Sequence, residues 1–213
     1  DTIPTFVLDG EYERRFFPRF GGGEIRTRLF AHTHSRISDL DVDGTDDDDI
    51  VDGRDVSRLN AQIDWLHSYT LRSGLRIDTT AGAAFNTFHI SQDSTTTADP
   101  SELTPHAMVT LRYPLAKTNA RGTAHVIVPV AQISWTGGDR LDIPNEESTQ
   151  VEFDQGNLLS LSRFPRADRR ERGVMAAFGV GWSRFGADGW DAHLSVGQVF
   201  RQDNDTDFTT TSG

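Results

Sequence analysis

The chain has 213 residues, a net charge of −11 and a sequence pI near 5.0, which argues against binding a nucleic-acid backbone because such binding requires a clustered basic surface. It contains no cysteine, so disulfides, thiolate metal sites and a cysteine nucleophile are excluded. No run of about 18 apolar residues occurs, which excludes a transmembrane helix. Membrane-crossing strands are not excluded, since their alternating residues leave the mean hydropathy low, at −0.49 here.

Eight segments alternate apolar and polar residues with a period of two, which predicts β-strands. In the second segment one face is apolar or neutral, and the opposite face carries Arg26, Arg28, His32 and His34. No long helical period, internal repeat or break in composition divides the chain, so a single domain over 1–213 is predicted. The predicted strands are 5–17, 24–36, 56–69, 75–90, 106–113, 123–135, 174–185 and 190–200.

The connections between these strands alternate in length, as they do in outer-membrane barrels with tight periplasmic turns and long external loops. The short connections are 18–23, 70–74, 114–122 and 186–189, and the long ones are 37–55, 91–104, 136–172 and the segment after 202. Aromatic residues fall at two levels, which is typical of the girdles at the two membrane interfaces. They are Phe16, Phe17, Trp65, Tyr69, Tyr113, Trp182, Phe185 and Trp190 near short connections, and Phe88, Trp135 and Phe200 near long ones.

These patterns predict an all-β fold, an antiparallel up-and-down arc of a transmembrane β-barrel in contact with outer-membrane lipids. The arc has about eight strands of a larger barrel and carries long external loops. The polar strand faces, including Arg26, Arg28, His32 and His34, are expected to line a wet lumen. A soluble β-sandwich also has short alternating strands, but it has no reason to alternate its turn lengths by side.

The connection at 37–55 contains DLDVDG, the first half of a calcium-binding loop, with Asp39, Asp41 and Asp43 as candidate ligands. An EF-hand loop would carry a bidentate Glu at its twelfth position, where this chain has Ile50. Strands flank this loop where an EF-hand has helices, so the match is partial. A weak Ca²⁺ or Mg²⁺ site is the prediction, a solvated acidic surface is the alternative, and no other cofactor is expected.

The sequence shows no catalytic constellation. Ser, His and Asp all occur, but there is no G-x-S-x-G elbow and nothing marks a nucleophile. The glycine run 21–23 lacks the following Lys and Ser/Thr of a phosphate-binding loop and therefore predicts a turn. His32 and His34 share a strand face, but no third metal ligand lies at a telling spacing. We therefore expect that the chain is not an enzyme.

The longest connection carries motifs of a known family. IPNEES at 143–148, EFDQGNL at 152–158, RFP at 163–165 and ADRRERG at 167–173 resemble the barrel domain of the lipopolysaccharide (LPS)-assembly outer-membrane protein family, LptD. GQVFR at 197–201 resembles the strand that follows. Glu147, Leu159 and Arg166 replace the usual Asp, Phe and Gly. The matching residues are Asn145, Glu146, Ser148, Phe153, Asp154, Asn157, Leu158, Arg163, Phe164, Asp168 and Arg169.

The resemblance implies LPS transport in the outer membrane of a Gram-negative bacterium. Members form a large barrel plugged by a partner lipoprotein (LptE), receive LPS from periplasmic bridge proteins through an amino-terminal jellyroll, and release it through a gate between the first and last strands. This chain shows neither a jellyroll nor a signal peptide, so an interior arc is expected. Arginines 169, 170 and 172 need partners near the plug or the passing sugar chain, with Glu146, Glu152 and Asp154 as candidates.

Two other functions fit the sequence. A general porin or receptor-type outer-membrane barrel would show the same alternation and the same girdles. A soluble extracellular β-domain with a calcium-binding acidic loop would show the same short strands. Dependence on detergent would separate the soluble domain from the barrels, and an upstream jellyroll with a signal sequence would separate the LPS-assembly protein from a porin.

Overall fold

The computed structural model describes residues 3–45, 50–141, 143–144, 156–164, 166 and 169–202. Every regular element in this part of the chain is a β-strand. Among these residues we find no helix whose length and apolar character would let it span a membrane. The strands are β1 (Phe6–Phe16), β2 (Glu24–Ser35), β3 (Asp55–Thr70), β4 (Arg76–Ser91), β5 (Ser101–Arg112), β6 (Leu115–Thr118), β7 (Ala124–Thr136), β8 (Gly173–Phe185) and β9 (Asp191–Arg201).

The strands form one open antiparallel sheet with the order β1-β2-β3-β4-β5-β7-β8-β9, and the short β6 pairs with β7. Each strand of this path pairs with the next one along the chain, which is an up-and-down arrangement. Within the described residues, β1 and β9 form the two edges. The predicted all-β antiparallel barrel arc is therefore confirmed, with β6 as a ninth strand that the alternation did not predict.

Strand β5 begins at Ser101 and not near His106, and its residues 101–105 pair with β4 alone. Proline is disfavoured inside a sheet because it cannot donate to the ladder. The carbonyl of Pro105 accepts from Gly137 N at 2.8 Å, on the β7 side of the strand. In antiparallel pairing the nitrogen and carbonyl of one residue face the same neighbour, so the nitrogen of Pro105 points where β7 has already ended. The Pro105–Gly137 pair therefore has one ladder bond in place of two, at the point where β7 ends.

The connections keep the predicted alternation, although their limits shift. Residues 17–23, 71–75, 119–123 and 186–190 are short, whereas 36–54, 92–100 and 137–172 are long. Strand β6 extends the path of β5 beyond Pro114, which leaves a tight turn at 119–123 in place of the predicted 114–122. The three glycines at 21–23 have φ values of 79°, 63° and 78°, which other residues resist, so this run is a turn as predicted.

The two faces of the sheet differ in polarity, and the polar face is the more buried. The face that we call the outer face exposes large apolar side chains such as Leu59 (47%), Ile133 (57%) and Leu194 (65%). The opposite, inner face carries polar side chains that are at most 4% exposed, including those of Arg58, Asn60, Asp64, Asn86, His106 and Gln132. A soluble sheet shows the opposite distribution, whereas a barrel wall presents its apolar face to lipid.

A small apolar cluster lies on the inner face near the long connections. Val56 of β3 and Phe88 and Ile90 of β4 pack against Ile143, with Leu141 beside them. Phe88 is only 5% exposed, so its assignment to the membrane-interface aromatic residues near the long connections is wrong. The other aromatic residues of that level, Trp135 and Phe200, are exposed, as are Phe16, Phe17, Tyr69, Tyr113, Phe185 and Trp190 near the short connections.

Candidate functional site

The described residues of the β7–β8 connection (137–172) lie over the inner face of the sheet. Its Arg170 donates to Gln62 of β3, which lies 108 positions away in the chain, and its Arg172 donates to Glu102 of β5, 70 positions away. Leu158 packs against β8 and β9. Side chains stand roughly perpendicular to a sheet, so strands this far apart reach one segment only when the sheet curves around it. The connection therefore lies on the concave side.

Leu158 lies against two glycines in the middle of neighbouring strands. Gly179 of β8 and Gly197 of β9 are directly paired across the ladder. A Cβ atom would lie 2.8 Å from Leu158 Cδ2 if placed at Gly179, and 2.5 Å from it if placed at Gly197, distances that real Cβ contacts do not show. Glycine inside a strand often marks the close approach of another segment. The glycine pair thus makes room for Leu158, which is 9% exposed.

Glu171 joins two arginines from different parts of the chain. Its Oε1 accepts from the backbone N of Arg163 at 2.8 Å and from Arg163 Nη1 at 3.2 Å, and its Oε2 accepts from Arg201 Nε of β9 at 2.7 Å. Arg163 also donates to the carbonyl of Leu158 at 3.0 Å. These contacts join Leu158, Arg163 and Glu171 to one another and attach them to β9.

The Arg163–Glu171 pair is buried, since each side chain is 1% exposed. Burial lowers the pKa of Arg163, while the carboxylate of Glu171 acts in the opposite direction. Removing either partner of such a pair leaves an uncompensated buried charge, which typically costs about 3–5 kcal/mol. The pair therefore sets the conformation of this part of the connection strongly.

A second network links the connection to β2, β3 and β5. Arg170 Nη2 donates to Gln62 Oε1 at 2.9 Å, and Gln62 Nε2 donates to Asp64 Oδ2 at 2.7 Å. Asp64 also receives Arg28 Nη2 at 3.3 Å and pairs with His106 Nε2 at 2.7 Å. Burial lowers the pKa of Arg170, and the negative charge of Asp64 opposes this. Asp64 is the centre of the network.

A third network lies nearer to the long connections. Arg172 Nη2 donates to Glu102 Oε2 at 2.6 Å, and Asn86 Nδ2 donates to Glu102 Oε1 at 2.7 Å. Asn60 in turn donates to Asn86 Oδ1 at 2.6 Å. The carboxylate of Glu102 is thus shared between the connection and β4, and it holds Arg172 over the inner face.

The structure describes five of the eleven family-motif residues. Asn157, Leu158, Arg163 and Phe164 lie in the part of the connection that covers the inner face, and Arg169 Nη2 donates to the carbonyl of Ile143 at 2.8 Å. The described partners of the arginines are Gln62, Glu102 and this carbonyl, while the candidates Glu146, Glu152 and Asp154 lie outside the described residues. The other motif residues outside them are Asn145, Glu146, Ser148, Phe153, Asp154 and Asp168.

The four residues expected in the lumen, Arg26, Arg28, His32 and His34, all lie on the inner face, and their role in a lumen stays a prediction. His32 Nδ1 lies 2.6 Å from Asp9 Oδ1, His32 Nε2 lies 3.0 Å from His34 Nδ1, and His34 Nε2 lies 3.4 Å from Arg36 Nη1. A guanidinium only donates, so His34 Nε2 accepts, and the chain of bonds then runs from Arg36 through both rings to Asp9. This chain of contacts joins β2 to β1 on the inner face.

The acidic β2–β3 connection packs against the β4–β5 connection. Asp41 O accepts from Ser94, and Arg54 Nε donates to Asp93 Oδ2 at 2.6 Å. Burial raises the pKa of Asp93, but hydrogen bonds from Thr95 and Arg54 outweigh it and lower the pKa to about 2. Among the described residues Asp39, Asp41 and Asp43 do not gather into a metal-binding group, and residues 46–49 lie outside them, so the divalent site stays a prediction.

Sequence reasoning missed the acidic partners of this site. Glu171 was not considered as a partner of the arginines beside it, Asp64 was placed on the polar face of a predicted strand, and Glu102 fell in the predicted connection 91–104. A usable signal was present, because a single carboxylate on the polar face of a strand must be neutralised once another segment covers that face. The glycines at 179 and 197 carried a second signal, since glycine weakens a strand unless something packs on it.

A search of the curated proteins finds no match for this chain. A model of the LptD family, described as LPS transport system D, matches residues 4–213. The matched range includes all nine strands and the β7–β8 connection, and it confirms the resemblance that the motifs of the connection indicated. The chain therefore belongs to the LptD family of the LPS transport system.

Proposed function

We propose that this chain forms part of the wall of an outer-membrane β-barrel that moves LPS to the outer leaflet of a Gram-negative bacterium. Membership of the LptD family supports LPS as the transported molecule. The observation that carries the proposal is the inverted polarity of the sheet, with apolar side chains exposed on the outer face and charged side chains buried on the inner face. The outer face suits lipid, and the inner face suits the sugars of LPS.

The β7–β8 connection acts in this proposal as a fixed part of the barrel interior. Its ion pairs to Arg201 and Glu102 and its packing on the Gly179–Gly197 pair hold it against the wall. A segment fixed in this way narrows the passage and presents a defined surface to a plug lipoprotein of the LptE type. Periplasmic bridge proteins would deliver LPS through a jellyroll outside this chain.

We propose that the inner face serves transport and not catalysis. The carboxylates of Asp64 and Glu102 are hydrogen-bonded to arginines, amides and the imidazole of His106, and these pairs serve to hold segments together. We propose that the protein is not an enzyme and needs no cofactor, with Ca²⁺ or Mg²⁺ bound weakly by the acidic connection. The exposed apolar outer face argues against a soluble extracellular domain, and the family match argues against a general porin.

Photo-crosslinking at adjacent residues of β5 tests this function. Met108 lies on the inner face and lines a cavity beside the connection, whereas Val109 lies on the outer face and is 38% exposed. A photoreactive amino acid at Met108 is expected to capture LPS in growing cells, and the adduct should disappear when LPS synthesis is stopped. An adduct at Val109 should persist, because it reports resident membrane lipid. Absence of a synthesis-dependent LPS adduct at Met108 would count against transport past this wall.

A further inference from the structure

A cavity of about 510 Å³ lies between the β7–β8 connection and the inner face of β1, β2, β3 and β5. It is lined by four arginines, Arg28, Arg166, Arg169 and Arg170, and Glu11 is the one carboxylate among the described residues of its wall. The chain as a whole has a net charge of −11, whereas the described lining of this cavity carries an excess of positive charge. We call this cavity the arginine cavity.

Two guanidinium groups of the arginine cavity have hydrogen-bonding capacity left over. Arg28 uses Nη2 on Asp64, and Arg170 uses Nη2 on Gln62. The Nε atom of each is buried and has no hydrogen-bond partner among the described residues. Because the Nε atoms are buried, the remaining terminal N–H groups of the two guanidiniums are the ones that can donate to an acceptor in the cavity.

Among the described residues, the one carboxylate of Asp64 acts on both Arg28 and Arg170 and can balance only one of their two charges. Asp64 is shared between Arg28, Gln62 and His106, whose donor atoms lie at 3.3, 2.7 and 2.7 Å. Glu102 is engaged by Arg172 and Asn86. Positive charge that the described carboxylates do not balance favours an anionic ligand, and the planar guanidinium fork matches a phosphate in particular.

The rest of the lining indicates what carries the phosphate. Phe30, Leu161 and Met108 give the cavity apolar walls, and Ser160 and Ser162 add hydroxyl groups. Arg58 lies over the ring of Phe30 at 5.1 Å and holds that ring in place. Apolar walls with a few placed polar groups suit a sugar ring, which has apolar faces and hydroxyls at its rim.

We propose that the arginine cavity binds the phosphate of a phosphorylated sugar, with Arg28 and Arg170 as its main contacts. The proposal rests on the proposed function, because the sugar would belong to the LPS that passes along the inner face. It assigns this face a recognition role beyond forming a wet passage. Arg170 belongs to the connection and Arg28 to β2 of the wall. The site therefore exists only while the connection is packed against the inner face of the sheet.

The test is LPS binding by the intact protein purified in detergent, with glucose 1-phosphate and glucose as competitors. Glucose 1-phosphate is expected to displace LPS and glucose is not, because only the former carries the phosphate. Arg170→Gln and Arg28→Gln should each weaken LPS binding about tenfold, which corresponds to about 1.4 kcal/mol. Arg76→Gln is the control, since Arg76 is exposed, pairs with Asp78 and lies outside the cavity.

The outcomes separate this inference from the proposed function. LPS binding that resists glucose 1-phosphate and is unchanged in both cavity variants would overturn the inference and leave transport standing. Binding of glucose 1-phosphate that both variants weaken, without any binding of LPS, would support the site and count against the function. Competition by phosphatidylglycerol vesicles as strong as that by glucose 1-phosphate would assign the phosphate to a lipid head group and overturn the sugar assignment.

Discussion

Replacing Glu171 with Gln is expected to destabilise the barrel wall and release the β7–β8 connection. The substitution keeps the size of the side chain but removes the charge that Arg163 and Arg201 share. Gln can still accept from Arg163, but its amide group then faces the donor Arg201 Nε, which lies 2.7 Å from Glu171 Oε2. One charged hydrogen bond is lost and a buried arginine loses its counterion, for a total of about 3 kcal/mol.

Urea unfolding of the detergent-solubilised protein measures this loss as a shift of the unfolding midpoint. Unfolding is monitored by the heat-modifiable mobility of the protein on gels. A change of about 3 kcal/mol shifts the ratio of folded to unfolded protein more than a hundredfold. Asp99→Asn is the matched control, because the carboxylate of Asp99 also has a side-chain partner, His89, but is 73% exposed. An unfolding midpoint of Glu171→Gln equal to that of the control would refute the idea that Glu171 attaches the connection to β9.

Two further predictions concern other anchors. Gly197→Ala is expected to push Leu158 off the sheet and destabilise the protein by about 1–3 kcal/mol. Gly181→Ala is the control and should have little effect, because a Cβ at Gly181 meets nothing within 4 Å. Equal unfolding midpoints of the two variants would contradict this prediction. Asp93→Asn should cost about 2 kcal/mol at neutral pH. The folded pKa of Asp93, about 2, lies below its ordinary value of 3.8, so this stabilisation is full above about pH 4 and disappears as the pH falls towards 2. A stability difference between the wild type and Asp93→Asn that does not depend on pH over this range would exclude stabilisation by the ionised carboxylate.

Alternating residues predicted the strands well because the period of two follows directly from strand geometry. The start of β5 was missed because Pro105 broke the pattern, although its nitrogen faces a place that β7 does not reach. Strand β6 was missed because four residues after a proline carry too little pattern to recognise. Phe88 was assigned to the aromatic level near the long connections because of its position along the strand. Alternation along the strand decides which face a residue occupies, and Phe88 lies on the inner face with Val56 and Ile90.

The site could be located from the sequence but its contacts could not. The connection was recognised from its length and motifs, and the arginines at 169, 170 and 172 were expected to need partners. The partners that the structure describes lie 70 and 108 positions away, on strands whose distance from the connection depends on how the sheet curves. Nothing local in the sequence specifies that curvature, so the pairing of Arg172 with Glu102 was not predictable from spacing.

Two consecutive residues of the connection act together as a chord across the arc. Arg170 is bonded to β3 and Glu171 to β9, and β4, β5, β7 and β8 lie between those strands. Strands in a flat sheet are about 4.8 Å apart, so β3 and β9 would be about 24 Å apart if the sheet were flat. A chord of fixed length sets the curvature of the wall that it spans. The connection thus fixes the distance between β3 and β9 across the inside of the arc. Residues inserted beside Arg170 or Glu171 would let the wall open to a larger radius.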